Sequence, residues 1–154
     1  MAIQKEKPLV IHLRGDESLR LAKEIMSTVN LPKNWLIHMH CFTYPWQECR
    51  KWAQEYPRMK FGFTPESFYE DTVKNLPLSK ILLETDGPYF LPKKIKLKRP
   101  SLPLDVWFIA QQVAYFKNVT VTDVLVSLLV NFFNHLITTG FSRSNWKIVN
   151  SYFR

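Results

Sequence analysis

The chain has 154 residues, enough for one domain with a real core and too few for two. With 46% hydrophobic and 14% aromatic residues it reads as a folded chain, not a disordered one, and its net charge of +8 favours polyanionic partners such as nucleic acid or phosphorylated molecules. Two cysteines, Cys41 and Cys49, do not make a disulfide scaffold, and with no secretory leader the expected setting is reducing and intracellular, in cytoplasm or nucleus.

Residues 1–7 are polar and without periodicity, and read as a short tail before a domain over residues 8–140. After Pro8, the run from Leu9 to Arg14 is compact and β-branched and predicts a strand with Val10, His12 and Arg14 on one face. Gly15 ends it, and Asp16 can cap a helix from Glu17 to Val29, where Leu21, Ala22, Ile25, Met26 and Val29 recur at helical spacing. Trp35 to Phe42 predicts the second strand, with Leu36, His38, His40 and Phe42 on one face. Pro45 opens a second helix, striped by Trp46, Cys49, Ala53 and Tyr56 and ended by Pro57. Met59 to Thr64 predicts a third strand, residues 65–75 a weaker helix, and Ile81 to Leu83 a fourth strand.

That strand runs into Glu84 and Asp86 and breaks at Gly87-Pro88. By alternation Leu82, Glu84 and Asp86 share a face. An apolar strand ending in an acid is how α/β folds present a functional carboxylate; a turn-capping Asp86 and a solvated Glu84 are the plain alternative. A basic segment from Lys93 to Arg99 follows, either a nucleic-acid contact or a solvated face. Helices are predicted from Pro103 to Phe116 and from Thr120 to about Ile137, the first turn of the latter carrying Thr120 and Asp123 as a capping box. The apolar run Val124 to Phe133, broken by Ser127 and Asn131, is too short for a membrane span and predicts a buried helix. Residues 141–154 are an aromatic, basic tail with no clear pattern.

Strand and helix alternate with no hairpin signal, which predicts an α/β fold with parallel strands. The strand ends at His12, His40, Thr64 and Asp86 fall at a nearly even pace, that of a (β/α) barrel or a doubly wound sheet. His12, His40 and Asp86 then share the carboxyl end of the sheet, and two imidazoles with a carboxylate are a usual hydrolytic metal set. His38, one step deeper, and Glu84 are expected to support that site. Arg14 is placed to clamp a phosphate or to pair with Asp16 or Glu17, and His135 to interact with a helix C-terminus.

Val10-Ile11-His12-Leu13-Arg14, Ile37-His38-Met39-His40-Cys41-Phe42-Thr43, Phe61-Gly62-Phe63-Thr64, and Leu76-Pro77-Leu78 leading into Leu83-Glu84-Thr85-Asp86-Gly87-Pro88-Tyr89 resemble, in order and spacing, the TatD-like deoxyribonucleases. The eukaryotic branch, with a His-x-His-Cys-Phe-Thr strand, is nearest. The resemblance covers most of residues 8–137, including the closing helix with Asn131, and is loose after Leu91. It implies a divalent-metal hydrolase on a TIM-type barrel that cleaves DNA phosphodiesters, using Mg²⁺, with Mn²⁺ or Zn²⁺ as alternatives. By position His12 and His40 would be ligands of one metal, and Asp86 would serve a second and help activate water. Arg14, Lys93 and Lys94 would face substrate phosphate.

The family also carries a His-x-His pair on its first strand and a bridging Glu on its fourth, and neither is found in this sequence. The four strands correspond to the carboxyl-terminal half of the barrel, since a full (β/α)₈ barrel takes about 250 residues. Tyr44 replaces the glycine usual after the His-Cys-Phe-Thr strand. The expected partners are DNA and either a second copy or a separate amino-terminal half to complete the barrel, with no membrane. The alternative is a non-catalytic fragment that binds nucleic acid or a partner protein.

Overall fold

A computed structural model of the protein describes residues 3–65, 69–91 and 99–137, with side chains through Phe133. The order is β1 (Leu9–His12), α1 (Asp16–Thr28), β2 (Ile37–His40), α2 (Trp46–Glu55), β3 (Lys60–Phe63), α3 (Glu70–Asn75), β4 (Ile81–Leu83), α4 (Val106–Lys117) and α5 (Val121–Ile137). The strands form one sheet in the order β1-β2-β3-β4, every neighbouring pair parallel. The α/β fold expected from the sequence is present, and β1 and β4 are the sheet's edges among the described residues.

β1, β2 and β3 are shorter than the runs that predict them, while β4 keeps its expected bounds. β2 stops at His40 because Cys41 turns left-handed, at φ 49°. β4 stops at Leu83, and Asp86 is left-handed too, at φ 48°, so alternation along the strand does not carry as far as Asp86. Asp16 is the first residue of α1 rather than its cap; Gly15 takes the cap position with no side-chain bond. The helix expected over 65–75 is seen as α3, with residues 66–68 outside the described part. Thr120 and Asp123 do form their capping box, Thr120 N–H donating to Asp123 Oδ2 at 3.0 Å and Asp123 N–H to Thr120 Oγ1 at 3.1 Å.

The core lies between the sheet and its helices. Ile37, Met39, Phe61, Phe63 and Ile81 point to that side and are buried, packed with Phe42, Trp52, Met59, Val73 and Val113. Trp52, absent from the stripe expected on α2, is its best-buried large ring. α5 departs from the all-round burial expected of it. Val124 and Asn131 are buried, but Val126, Leu129, Val130, Phe132 and Phe133 are exposed, because no described element packs on its outer side. No single described helix is long and apolar enough to cross a membrane.

Candidate metal centre

Alternation on β2 sends Ile37 and Met39 into the core and leaves His38 and His40 on the opposite, inner face. The parallel register sets His12 of β1 directly beside His40, with ring centroids 5.1 Å apart and the planes tilted by 43°. On the far side of the sheet Glu84 extends the β4 ladder by one step, its N–H donating to Phe63 O at 3.0 Å.

Between β2 and β4 lies β3, and its inner position there is Gly62. A Cβ on Gly62 would stand 2.3 Å from Glu84 Cδ and from both carboxylate oxygens. The missing side chain is the space through which Glu84 crosses β3 to reach β2. There Oε1 lies 2.5 Å from His38 Nε2 and 3.0 Å from His40 Nδ1, and Oε2 accepts the Cys41 N–H at 2.8 Å. The other face of the His40 ring meets Asp86, whose Oδ1 is 3.1 Å from Nε2. The left-handed Cys41 and Asp86 thus turn a backbone donor and a carboxylate inward at the strand ends.

Burial pushes the Glu84 carboxyl upward, but His38, His40 and the Cys41 N–H together outweigh it, so the net displacement is downward and the group stays ionised. Burial, then Arg14, then His40 draw His12 down, which keeps it neutral. Arg14 itself donates to Cys41 Sγ at 3.2 Å and to Thr43 Oγ1 at 3.4 Å, above the end of β2. Glu17, one of its expected acidic partners, is taken by Arg20. Cys49 is buried, and desolvation raises its thiol to about 12, so it is inert.

His38, His40 and Glu84 each offer a donor atom, and these lie within 4.8 Å of one another. His38 Nε2 and Glu84 Oε1 are buried and, despite their 2.5 Å approach, lack a directed hydrogen bond. The two atoms face each other as an imidazole–carboxylate pair, and with His40 Nδ1 beside them the three-donor set fits a cation. Of the residues expected at the site, His40 and Asp86 come together. His12 lies beside His40, its ring tilted to it, without entering the converging trio, while His38 and Glu84, expected as support, form it with His40. Sequence reasoning passed over Gly62 and the Cys41 N–H; a lone glycine inside the strand Phe61-Gly62-Phe63 was the available signal. Tyr44 fills its position as a packed residue, its hydroxyl donating to Gly15 O at 3.1 Å and its ring 5.5 Å from that of Phe42. Lys93, Lys94, the His135 side chain and residues 141–154 lie outside the described part.

The family model for TatD-related DNases matches residues 1–136. The chain belongs to the TatD-related DNase family. It is 37% identical over 102 residues to the human 3'-5' RNA nuclease TATDN2, an overlap of 62% of this chain and 13% of that protein. It is 30% identical over 90 residues to the metal-dependent hydrolase YabD of Bacillus subtilis (strain 168), covering 56% of this chain and 35% of that one. Its fold resembles that of a TatD-family hydrolase from Entamoeba histolytica (TM-score 0.64, 20% identity, 83% of this chain and 50% of that chain). It also resembles YJJV, a TatD homologue from Escherichia coli K12 (TM-score 0.71, 21% identity, 87% and 51%). The chain thus spans about half the length of these solved TIM-barrel structures and less of its two curated relatives.

Proposed function

We propose that this TatD-family chain carries one metal centre of a divalent-metal-dependent nuclease that hydrolyses phosphodiester bonds in DNA. The reading rests on the convergence of Glu84 with His38 and His40 across Gly62, which sets three donor atoms within 4.8 Å of one another. His38, His40 and Glu84 would hold the ion, with Asp86 against the far nitrogen of His40. When bound, it would supply Lewis-acid stabilisation of charge on a phosphoryl oxygen. A mixed imidazole–carboxylate set suits Mn²⁺ or Zn²⁺ as well as Mg²⁺. Asp86 is the base positioned to take a proton from an attacking water, and Arg14, whose partners among the described residues are a thiol and a hydroxyl, can hold a phosphate. The name of the human relative supports RNA as a second substrate. Two free, buried cysteines support a reducing compartment, cytoplasm or nucleus.

The second reading, a chain that binds nucleic acid without turnover, is favoured by one observation. Val10, on the inner face of edge strand β1, is 59% exposed, and β1 and β4 lack outer strand partners among the described residues. Closure against a second copy or an amino-terminal half would cover both edges. Incubating the chain with single-stranded DNA or RNA and Mg²⁺ or Mn²⁺, beside calorimetry of Mn²⁺ and Zn²⁺ binding, separates the two. Cleavage is expected to be lost in His40→Ala and Asp86→Ala, and His40→Ala to weaken metal binding at least about tenfold. Cleavage that survives both substitutions would sink the site assignment; metal binding without cleavage in the unaltered chain would favour the binding reading.

A further inference from the structure

Beyond the donor cluster, the turn after β4 carries a ring that the metal centre does not use. Tyr89 N–H donates to Asp86 O at 2.9 Å and closes the turn. A neighbouring segment holds it from outside. Ser101 N–H donates to Pro88 O at 3.0 Å, Ser101 Oγ to Thr85 O at 3.4 Å, and a Cβ on Gly87 would meet Ser101 O at 2.7 Å. Ser101 is buried, and the same segment is anchored by Arg99, which donates to both oxygens of buried Asp105 at 2.8 and 2.6 Å. The turn is bracketed by two left-handed residues, Asp86 and Phe90, at φ 48° and 55°. That region is sparsely populated for a bulky side chain and persists only where the surroundings impose it.

The backbone is therefore fixed from several sides, yet the Tyr89 ring is 70% exposed. Its neighbour Phe90 is half-buried and stands at 6.5 Å between centroids, tilted by 56°, as a backing for it. A turn fixed from several sides holds its side chains in one place. This one presents a flat aromatic surface to solvent a single turn from the Asp86 carboxylate.

We propose that Tyr89 is a specificity-determining residue that stacks on an unpaired base next to the phosphate held at the metal centre. The proposal rests on the nuclease reading. Bases in single strands stack on exposed aromatic rings with little regard to sequence, whereas a base inside a duplex is already stacked and is not offered.

Binding is measured by fluorescence anisotropy in EDTA, with no turnover. The probes are a labelled twelve-residue oligothymidylate and an abasic deoxyribose-phosphate oligomer of equal length. The unaltered chain is expected to prefer the oligothymidylate by about five- to a hundredfold. Tyr89→Ala is expected to bind both oligomers alike while keeping its melting temperature, and Tyr89→Trp to retain the preference. A preference that survives in Tyr89→Ala overturns the proposal. Equal binding of both oligomers by the unaltered chain overturns stacking but leaves a phosphate-binding nuclease standing. Binding of neither overturns the proposal, while the nuclease reading stands or falls on cleavage in Mg²⁺ or Mn²⁺.

Discussion

The two faces of the four-stranded sheet do different work. Towards the helices, Ile37, Met39, Phe61, Phe63 and Ile81 are all at most 1% exposed. Towards the inside, the same strands carry His12, His38, His40, Gly62 and the approach of Glu84. Parallel strands covered on both faces read as continuous apolar runs, so a polar, alternating parallel sheet marks a face withheld from packing. Stability is concentrated on the outer face and the candidate donors on the inner one, one residue apart along the strands.

The strongest way to break this division is from the outer face. Phe61→Ala empties a fully buried position whose ring meets that of Phe42 edge-on at 5.0 Å. It is expected to cost about 3–5 kcal/mol, read as a collapse of the thermal transition, and to remove metal binding only as a consequence of unfolding. The next residue reverses the pattern. Gly62→Ala adds one methyl on the inner face where the Glu84 carboxyl lies, and is expected to lower Mn²⁺ affinity by about ten- to a hundredfold in calorimetry while the fold persists by circular dichroism. Unchanged affinity would mean that Glu84 does not serve the cation.

The smallest effect sharpens the comparison away from both faces. Asp105 is held below the usual carboxylate range by the Arg99 guanidinium first, against a smaller upward push from burial, and then by the Leu102 N–H. A depressed carboxyl stabilises above its unfolded pKa, near 3.9, and that contribution is lost as pH falls through the folded value. Asp105→Asn is expected to lower the melting temperature slightly at pH 7, with the difference from the unaltered chain vanishing at the acid end of a pH series. A difference that stays constant into acid would assign the effect to packing.

Much of this was legible in the sequence because it depends on local pattern. Ile81 to Leu83 is bounded as expected, α1 differs by one residue at each end, and the parallel order follows from the alternation of strand and helix. The resemblance to TatD nucleases, carried by the His40-Cys41-Phe42 and Glu84-Thr85-Asp86 stretches, is matched by the family comparison. The reach of Glu84 was not legible. Glu84 reaches His38 across an intervening strand, a contact set by the absence of a side chain at Gly62 rather than by any periodicity. Asp86 meets His40 as expected, but Asp86 is itself left-handed, so that meeting follows from the turn and not from strand alternation. The exposure of α5 was hidden likewise, since an apolar composition does not say how many neighbours a helix will find.

The buried amide of Asn131 has a reach longer than its bonds. Its Nδ2 donates to Leu78 O at 2.9 Å and to Ile81 O at 3.0 Å, while Lys60 Nζ donates to its Oδ1 at 3.1 Å. Those carbonyls lie at the foot of β4, whose three residues span about 10 Å at ordinary strand rise. Glu84 stands at the other end. β4 is thus a short, stiff rod clamped at its base by α5, and the elevation of the carboxylate is set from beneath. A tilt of that helix would be transmitted to the candidate donors as a vertical shift, with none of the donors themselves being touched.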